Sequence, residues 1–317
     1  MRNTWHLEEA MRPFRFAYQT LESSASDLRA AALNAEQAGF DVFQTLDHFG
    51  GYWAPFTPLG AIAGWTKRIR LCPLVINNDF HHPMNVAREI VSLDRVSDGR
   101  AEVGLGAGHA FTEYTSIGLQ FDIPAVRKAR LRESVEILQK ALTGKQFSYE
   151  GASYRIEDAY SMRPVQERIP ILVGVNGSSA LAHAARTADI VGLTMFGRTL
   201  SNGQAHEMRW QPDRLDRTIA WIRKNSASRP RPPELHALVH RVEITSDRKG
   251  YAEEVAGRFA GLSPEDAIST PFLAFGSHDE IAAQLVSHRE RWGISYYTVR
   301  DIDNFYPVID RLRSIDD

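Results

Sequence analysis

The feature that most constrains the fold is an alternation along the chain between short apolar runs and longer segments of helical period. The apolar runs are rich in Val, Ile, Leu and Phe, as buried parallel strands are. They are Phe14–Gln19, Phe40–Leu46, Ile69–Ile76, Ala101–Leu105, Ile171–Val175, Ile190–Thr194, Leu235–Ile244 and Ile294–Val299. The amphipathic segments are Ser26–Ala38, Val86–Val96, Ala129–Leu142, Ser179–Thr187, Arg214–Lys224, Tyr251–Phe259 and Asp279–Arg291. This order predicts an α/β fold, a closed (β/α)8 TIM barrel rather than an open doubly wound sheet.

Two regions interrupt the alternation. Residues Thr143–Arg163 contain the segment Phe147–Tyr154, which predicts an insertion hairpin turning at Glu150-Gly151. The segment Arg229–Pro233 is rich in Pro and Arg, and it is typical of a loop or of a linker between domains. Because too few residues follow it to form a second core, we expect one barrel domain over residues 1–317.

Composition excludes several classes of partner. The 317 residues include 37 Lys and Arg against 39 Asp and Glu, so the net charge of −2 does not favour nucleic acid or an anionic membrane. The single cysteine, Cys72, lies in an apolar run, which indicates a core position and a reducing compartment. The first ten residues lack the apolar region of a signal peptide, and no stretch approaches the roughly 20 apolar residues of a spanning helix. We therefore expect a cytoplasmic protein that acts on a small molecule.

Polar residues follow several of the predicted strands, at the barrel end where TIM-barrel active sites lie. They occur in the segments Asp47-His48-Phe49, Asn77–His82, Gly106–His109 and Val175–Ser179. Asp47-His48 joins a carboxylate to an imidazole that titrates near neutrality, which suits general acid–base chemistry. A helix-capping Asp and a surface His form the alternative interpretation.

Two glycine-containing segments predict close approach of a ligand to the backbone. The glycines of Gly104–Gly108 leave room for a planar ligand or its linker, although the spacing is not that of a dinucleotide-binding fingerprint. Gly174–Ser179 begins a helix with small residues, so its amides and dipole suit a phosphate, with a plain helix cap as the alternative. Aromatic residues predicted to lie in rim loops indicate an aromatic-lined pocket; they are Phe49, Tyr52, Trp53, Phe80 and Phe111.

Two other kinds of site are disfavoured by spacing. The adjacent His81 and His82 point in opposite directions on an extended chain and lack a metal-ligand spacing, so we expect no metal. Ser178 and Ser179 lack the Gly-x-Ser-x-Gly context of a serine hydrolase.

These residues resemble the luciferase-like monooxygenase superfamily, in the branch that uses the deazaflavin coenzyme F420. The resemblance covers most of the chain and depends on the order and spacing of its segments. These are Ala35–Asp41 before Asp47-His48, Pro83–Arg88 with Leu93–Arg100, Val103–Gly108 with Glu113-Tyr114, Arg127–Glu133, Phe147–Tyr154, Pro164–Gly174 and Ala184–Asp189. The family fold is a TIM barrel with an insertion after the fourth or fifth unit, in agreement with Thr143–Arg163.

The resemblance also implies how a cofactor lies in the barrel mouth. Asp47 would lie near the polar edge of the ring, His48 beside its reactive carbon, and Leu74-Val75 would form a non-prolyl cis peptide that supports the ring. The residues implied on the tail side of the cofactor are Ala107, Gly108 and Thr112. Those implied to present amides to its phosphate are Val175, Asn176 and Gly177.

One position departs from the sugar-phosphate dehydrogenases of this superfamily. His109 lies where those enzymes carry a catalytic glutamate, and Glu113 is a nearby carboxylate that could replace it. The lysines Lys145, Lys224 and Lys249 are scattered rather than clustered for a sugar phosphate. The sequence therefore argues against that substrate class.

We expect hydride transfer between F420 and an organic substrate, with His48 as the group that donates or accepts a proton. His109 and Glu113 are further catalytic candidates. An FMN-dependent two-component monooxygenase is the first alternative, because the same barrel serves both cofactors. The others are a flavin- or deazaflavin-binding protein without turnover and a metal-dependent barrel hydrolase. A homodimer is expected by analogy with the family.

Overall fold

The computed structural model describes residues 12–199, 206–259 and 261–316. The strands are β1 (Arg15–Gln19), β2 (Val42–Thr45), β3 (Arg70–Pro73), β4 (Ile76–Asn77), β5 (Val103–Gly106), β6 (Phe147–Glu150), β7 (Arg155–Ala159), β8 (Ile171–Val175), β9 (Ile190–Leu193), β10 (Phe196–Thr199), β11 (His206–Met208), β12 (Glu234–Leu238), β13 (Arg241–Ile244), β14 (Leu273–Gly276) and β15 (Ile294–Val299). The α-helices are α1 (Ala25–Gln37), α2 (Phe56–Trp65), α3 (Pro83–Val96), α4 (Phe111–Ser116), α5 (Pro124–Ala141), α6 (Ser178–Thr187), α7 (Pro212–Ser226), α8 (Arg248–Arg258), α9 (Pro264–Ser269), α10 (His278–Trp292) and α11 (Ile302–Asp316).

The large parallel sheet closes on itself. Its strand order is β3-β2-β1-β15-β12-β9-β8-β5-β4, and the two end strands are successive parts of one strand interrupted at Leu74 and Val75. An additional bridge pairs Leu71 of β3 with Ala101, just before β5. Counting β3 and β4 as one strand gives the eight-stranded barrel that the alternation predicts. The predicted fold class is confirmed.

The barrel has a compact apolar interior and a larger core beneath the helices. Cys72 lies in the interior with strand residues such as Ala17, Val42 and Tyr296 and is fully buried, which confirms the prediction of a core cysteine. Burial raises the pKa of its thiol well above the ordinary value. The larger core joins the outer strand faces to helix residues such as Ile90 of α3. The interior is thus filled by side chains, as in other TIM barrels.

An ion cluster lies at the N-terminal ends of the strands. Arg15 donates to Glu234 at 2.6 Å and to Glu102 at 2.5 Å, and Arg70 donates to the same oxygen of Glu102 at 2.5 Å. The Arg15 guanidinium also lies 4.4 Å from the ring centroid of Tyr296. Because each buried carboxylate has a cationic partner, this end of the barrel is filled by paired charges. The open space lies at the opposite end.

The predicted insertion hairpin is also confirmed. Strands β6 and β7 are antiparallel, with Tyr149 opposite Ile156. Glu133 of α5 accepts hydrogen bonds from the amides of Ala152 and Ser153 at 3.1 and 2.9 Å, which attaches the hairpin turn to the barrel. None of the helices in the described ranges is long and apolar enough to cross a membrane.

The predicted run Leu235–Ile244 is wrong as a single strand. The chain leaves the barrel after Leu238, because the amide of His240 donates to Phe272 at 2.8 Å, and β13 then pairs with β14 outside the barrel. Helix α2 was not predicted, because its sequence is nearly all apolar and shows no amphipathic period. Helices α4, α9 and α11 and strand β14 were missed as well.

We predict that His288 makes folding sensitive to acid. Its Nε2 donates to the carbonyl of Ser269 at 2.9 Å, whereas none of the described residues bonds the buried Nδ1, and burial lowers the pKa of His288 to about 4. An unfolded histidine takes up its proton near pH 6.5, so stability is lost as the pH falls from there towards 4.

The replacement His288→Gln keeps a donor for Ser269 and removes the titration. It should reduce the slope of unfolding free energy against pH, near pH 5, by about 1 kcal/mol per pH unit. Chemical unfolding at several pH values measures the slope, and His278→Gln at the start of the same helix is the control. An unchanged slope in the His288 variant would contradict the prediction.

Candidate active site

A cavity of about 400 Å3 lies at the C-terminal ends of the barrel strands. It contains most of the residues that the sequence predicts for the site. These are Asp47, His48, Leu74, Val75, Ala107, Gly108, His109, Glu113, Val175 and Asn176. The structure therefore brings together residues from β2, β3, β5, α4 and β8 that are distant along the chain.

Two predicted residues lie outside this lining. Thr112 contributes to an adjoining hollow of about 470 Å3, which shares His48, His109 and Glu113 with the cavity. Gly177 precedes α6 with a positive φ of 87°, and a Cβ there would lie 3.3 Å from the ammonium of Lys128. The assignments of Thr112 to the cofactor tail and of Gly177 to its phosphate stay predictions.

The central pair of the site is His48 and Glu113. His48 follows β2, Glu113 lies on α4, and Nδ1 of the imidazole is 2.6 Å from Oε1 of the carboxylate. The ring of His109 lies edge-on to that of His48, with centroids 5.4 Å apart. A carboxylate that holds one ring nitrogen fixes the orientation of an imidazole, and none of the described residues bonds its other nitrogen, Nε2. His48 is thus arranged for proton transfer.

Asp47 is held in place by contacts with two other residues. Its Oδ2 accepts hydrogen bonds from the amide of Asn77 at 2.8 Å and lies 2.9 Å from Nε2 of His81. These contacts tie the end of β2 to the turn after β4, so the alternative of a helix-capping Asp does not hold. The contact with Asp47 also gives His81 a structural role. No group of three or more His, Cys, Asp or Glu side chains suited to a metal occurs in the part of the chain that the structure describes.

The turn that contains Gly108 is shaped by Tyr114. The Tyr114 hydroxyl lies 3.0 Å from both Asn77 Oδ1 and Asp79 Oδ2, and burial and the Asp79 carboxylate raise its pKa well above the ordinary value. Arg130 donates to the other oxygen of Asp79 at 2.7 Å. A Cβ at Gly108 would overlap the Tyr114 hydroxyl. Gly108 is therefore required by the protein's own packing, and its contact with a cofactor stays a prediction.

Gly104 and Gly106 leave room for the chain at Leu74-Val75. The Leu74–Val75 bond is cis, as the family resemblance implies. A Cβ at Gly104 would lie 2.7 Å from the carbonyl oxygen of Pro73, and a Cβ at Gly106 would lie 2.6 Å from Cγ2 of Val75. These two glycines therefore make space for the chain from Pro73 to Val75. Gly106 also lines the cavity, so the interpretation that the glycines admit a ligand stays a prediction.

Several cavity residues were missed by the sequence interpretation. They are Gln19, Arg127, Lys128, His236, His240 and Arg300. Gln19 and Arg300 stand at the C-terminal ends of β1 and β15, where TIM barrels carry their active-site residues, so their positions in the sequence are a signal for them. Arg127 and Lys128 lie on a helix, where no strand-end rule applies.

Arg127 and Lys128 form a cationic wall next to the start of α6. Arg127 is buried, and none of the described residues bonds its Nε, although its guanidinium donates to the carbonyl of Asp122 at 3.0 Å. Burial and the charge of Arg127 lower the pKa of Lys128. None of the described carboxylates forms an ion pair with Arg127 or Lys128, so this wall is favourable for an anion, and the amides at the start of α6 add to it.

We predict that Gly106→Ala destabilises the protein by about 1–3 kcal/mol, because the new methyl group overlaps Val75. Thermal unfolding measures the change. Gly64→Ala in α2 is the matched control, since nothing lies within 4 Å of a Cβ there. The double replacement Gly106→Ala with Val75→Ala should recover part of the loss. Equal losses in the single and double variants would show that Val75 is not the cause.

A closed eight-stranded barrel with a cavity at the C-terminal strand ends is the arrangement found in TIM-barrel enzymes. Residues 11–296 match the luciferase-like monooxygenase family, and the chain belongs to that family.

Individual curated relatives match a shorter part of the chain than the family as a whole does. An F420-dependent glucose-6-phosphate dehydrogenase of Nakamurella multipartita is 32% identical over 187 residues, which are 56% of this chain and 55% of that protein. The chain thus spans about half the length of the curated relatives it matches.

Two solved structures share the fold. An F420-dependent secondary alcohol dehydrogenase in complex with an F420–acetone adduct has a TM-score of 0.74 at 18% identity, covering 95% of this chain and 100% of that one. The coenzyme F420-dependent tetrahydromethanopterin reductase of Methanopyrus kandleri has a TM-score of 0.72 at 20% identity, covering 93% and 99%.

Proposed function

We propose that the protein is an F420-dependent oxidoreductase that exchanges a hydride with a small organic substrate. The observation that carries this proposal is the His48–Glu113 pair, which lies in the wall of the cavity that also contains Leu74-Val75. The relatives and structural neighbours that use F420 support the choice of cofactor. One domain over residues 1–317 and a cytoplasmic location stay proposals that rest on the sequence, and a homodimer stays a proposal that rests on analogy with the family.

The residues present fit a deazaflavin with an anionic tail. Val75 offers an apolar surface for a planar ring, and Gly104 and Gly106 leave room for Val75 because they carry no side chains. The ammonium of Lys128, which lines the cavity beside Gly177, offers a cationic group to a phosphate. The ring would therefore lie over β3 and β5 with its tail directed towards α5 and α6.

When bound, F420 supplies a hydride acceptor, or in its reduced form a hydride donor. During oxidation of the substrate, His48 accepts the proton that leaves the substrate as its carbon gives up the hydride, so that two electrons and two hydrogens are removed. In the opposite direction His48 returns that proton. Glu113 accepts the hydrogen bond of Nδ1 and stabilises the imidazolium that forms.

The cofactor assignment is tested by titrating the purified protein with F420 and with FMN. Quenching of cofactor fluorescence should report binding of F420 at least about tenfold tighter than that of FMN, a difference of about 1.4 kcal/mol. Tighter binding of FMN, followed by oxygen-dependent turnover with a flavin reductase, would replace the proposal by the two-component monooxygenase.

We predict that His48→Asn lowers turnover by about 10²–10⁴, as expected for loss of a general acid–base group. The assay follows F420 absorbance with a panel of small alcohols, aldehydes and acids. Affinity for F420 should change little. Glu113→Gln should cause a smaller loss, since it keeps an acceptor but not the charge. His278→Asn, on the outer helix α10, is the control. Full activity of His48→Asn would rule out His48 as the proton-transfer group.

We predict that Lys128→Ala weakens F420 binding by about tenfold or more, the usual effect of losing a charge-assisted hydrogen bond. Binding of the corresponding deazaflavin without the phosphate-bearing tail should be unaffected. Lys140→Ala, on the same helix but outside the cavity, should leave both affinities unchanged. Equal weakening of both ligands by Lys128→Ala would place Lys128 against the ring instead of the tail.

A further inference from the structure

Arg300 provides a cation on the wall of the cavity that faces away from α5 and α6. It follows β15 directly and lines the cavity together with Gln19, which ends β1. In the barrel order, β15 is separated from β8 by β12 and β9, whereas Lys128 lies near the loop that follows β8. Arg300 and Lys128 therefore mark two different parts of the same cavity.

A second feature of Arg300 is that it has no ion-pair partner among the described residues. None of the described carboxylates lies within ion-pair distance of its guanidinium. The carboxylates among the residues lining the cavity are Asp47 and Glu113, which are engaged by His81 and His48. Desolvation lowers the pKa of Arg300. Arg300 is also exposed to solvent at the cavity wall, so its guanidinium is accessible to an anionic ligand.

The guanidinium is held in one orientation by Gln19. Its Nε and Nη2 donate to Gln19 Oε1 at 2.9 and 2.7 Å, and Gln19 Nε2 in turn donates to the carbonyl oxygen of Leu74 at 2.7 Å. No described residue bonds Nη1, so the edge formed by Nη1 and Nη2 remains available. That edge matches the two oxygens of a carboxylate.

A second side chain on the same wall is an imidazole that stays neutral. Burial and the charge of Arg300 lower the pKa of His240 to about 4, and its ring stacks on Trp210 at a centroid distance of 5.1 Å. His240 therefore adds no charge to the wall near neutral pH. One positive charge with one available edge suits a carboxylate better than a phosphate dianion, which is usually bound by several donors.

We propose that Arg300 binds a carboxylate of the substrate, so that the substrates of this enzyme are small organic acids. This inference rests on the proposed function, because it assigns the opposite wall to the cofactor tail. The link from Arg300 through Gln19 to Leu74 places the bound acid at a fixed position relative to the surface that supports the ring. Arg300 is thus a specificity-determining residue.

The test uses benzoate and its neutral isostere benzamide as probes. Saturation-transfer NMR on the full chain without F420 should show benzoate binding about tenfold tighter than benzamide. Arg300→Gln should reduce that preference to what Lys128 contributes, and Arg300→Lys should retain more of it because the charge remains. Lys128→Gln should still bind benzoate more tightly than benzamide, because Arg300 remains. Arg258→Gln, on the exterior of α8, should leave both affinities unchanged. Circular dichroism melts verify that each variant folds.

Three results would overturn the proposal. They are equal binding of the two probes to the unaltered protein, an unchanged preference in Arg300→Gln, and loss of the preference in Lys128→Gln alone. The last would assign the anion to the wall at α5. Because F420 is absent from the NMR samples, a failure of the protein to bind F420 would appear only in the fluorescence titration. The two proposals are therefore tested separately.

Discussion

The active-site end of the barrel depends on the space that Gly104 and Gly106 leave for Val75. The third barrel strand is interrupted at Leu74-Val75, and a side chain at either glycine would collide with the interrupted segment. The amide of Leu74 donates to the carbonyl of Thr45 at 2.8 Å, and its own carbonyl accepts from Gln19. Because these hydrogen bonds fix the segment on the side of β2 and the glycines of β5 pack against it on the other side, it presents a fixed apolar surface to the cavity.

The polar groups around that surface are ordered by contacts behind them. His48 is oriented by Glu113, Asp47 by Asn77 and His81, and Arg300 by Gln19. At the opposite end of the barrel, Arg15 and Arg70 pair with buried carboxylates. Each charged group in the cavity is therefore either engaged by the protein or left for a ligand, and the cations left for a ligand stand on two separate walls. In the proposed function, this division separates the cofactor side of the cavity from the substrate side.

Much of the fold follows from the sequence, because strands buried on both faces are recorded as apolar runs and the helices between them as amphipathic segments. The predicted strand Leu235–Ile244 is interrupted for a tertiary reason. The amide of His240 donates to the carbonyl of Phe272 outside the barrel, and no local sequence pattern indicates this contact. The cis bond at Leu74-Val75 came from the family resemblance and is confirmed. The glycine pattern was recognised, but whether a glycine admits a ligand or a neighbouring side chain depends on packing.

The sequence predicts which residues line the candidate site better than it predicts which of them form hydrogen bonds with each other. His48 and Glu113 are 65 residues apart, and only the closed barrel shows that they share a hydrogen bond. Arg300 differs from His48 in that the fold brings no carboxylate to it among the described residues, and its proposed role depends on that lack of a partner. Absence of a partner is a property of the folded cavity and leaves no signal in the sequence.

A crystal structure of the protein with F420 tests the central claim most directly. In that complex we expect the ring to lie on Val75 with its hydride-transferring carbon facing His48. We also expect the phosphate to contact Lys128 and the Nη1 edge of Arg300 to remain clear of the cofactor. A ring bound away from Val75, or a phosphate bound at Arg300, would contradict the claim.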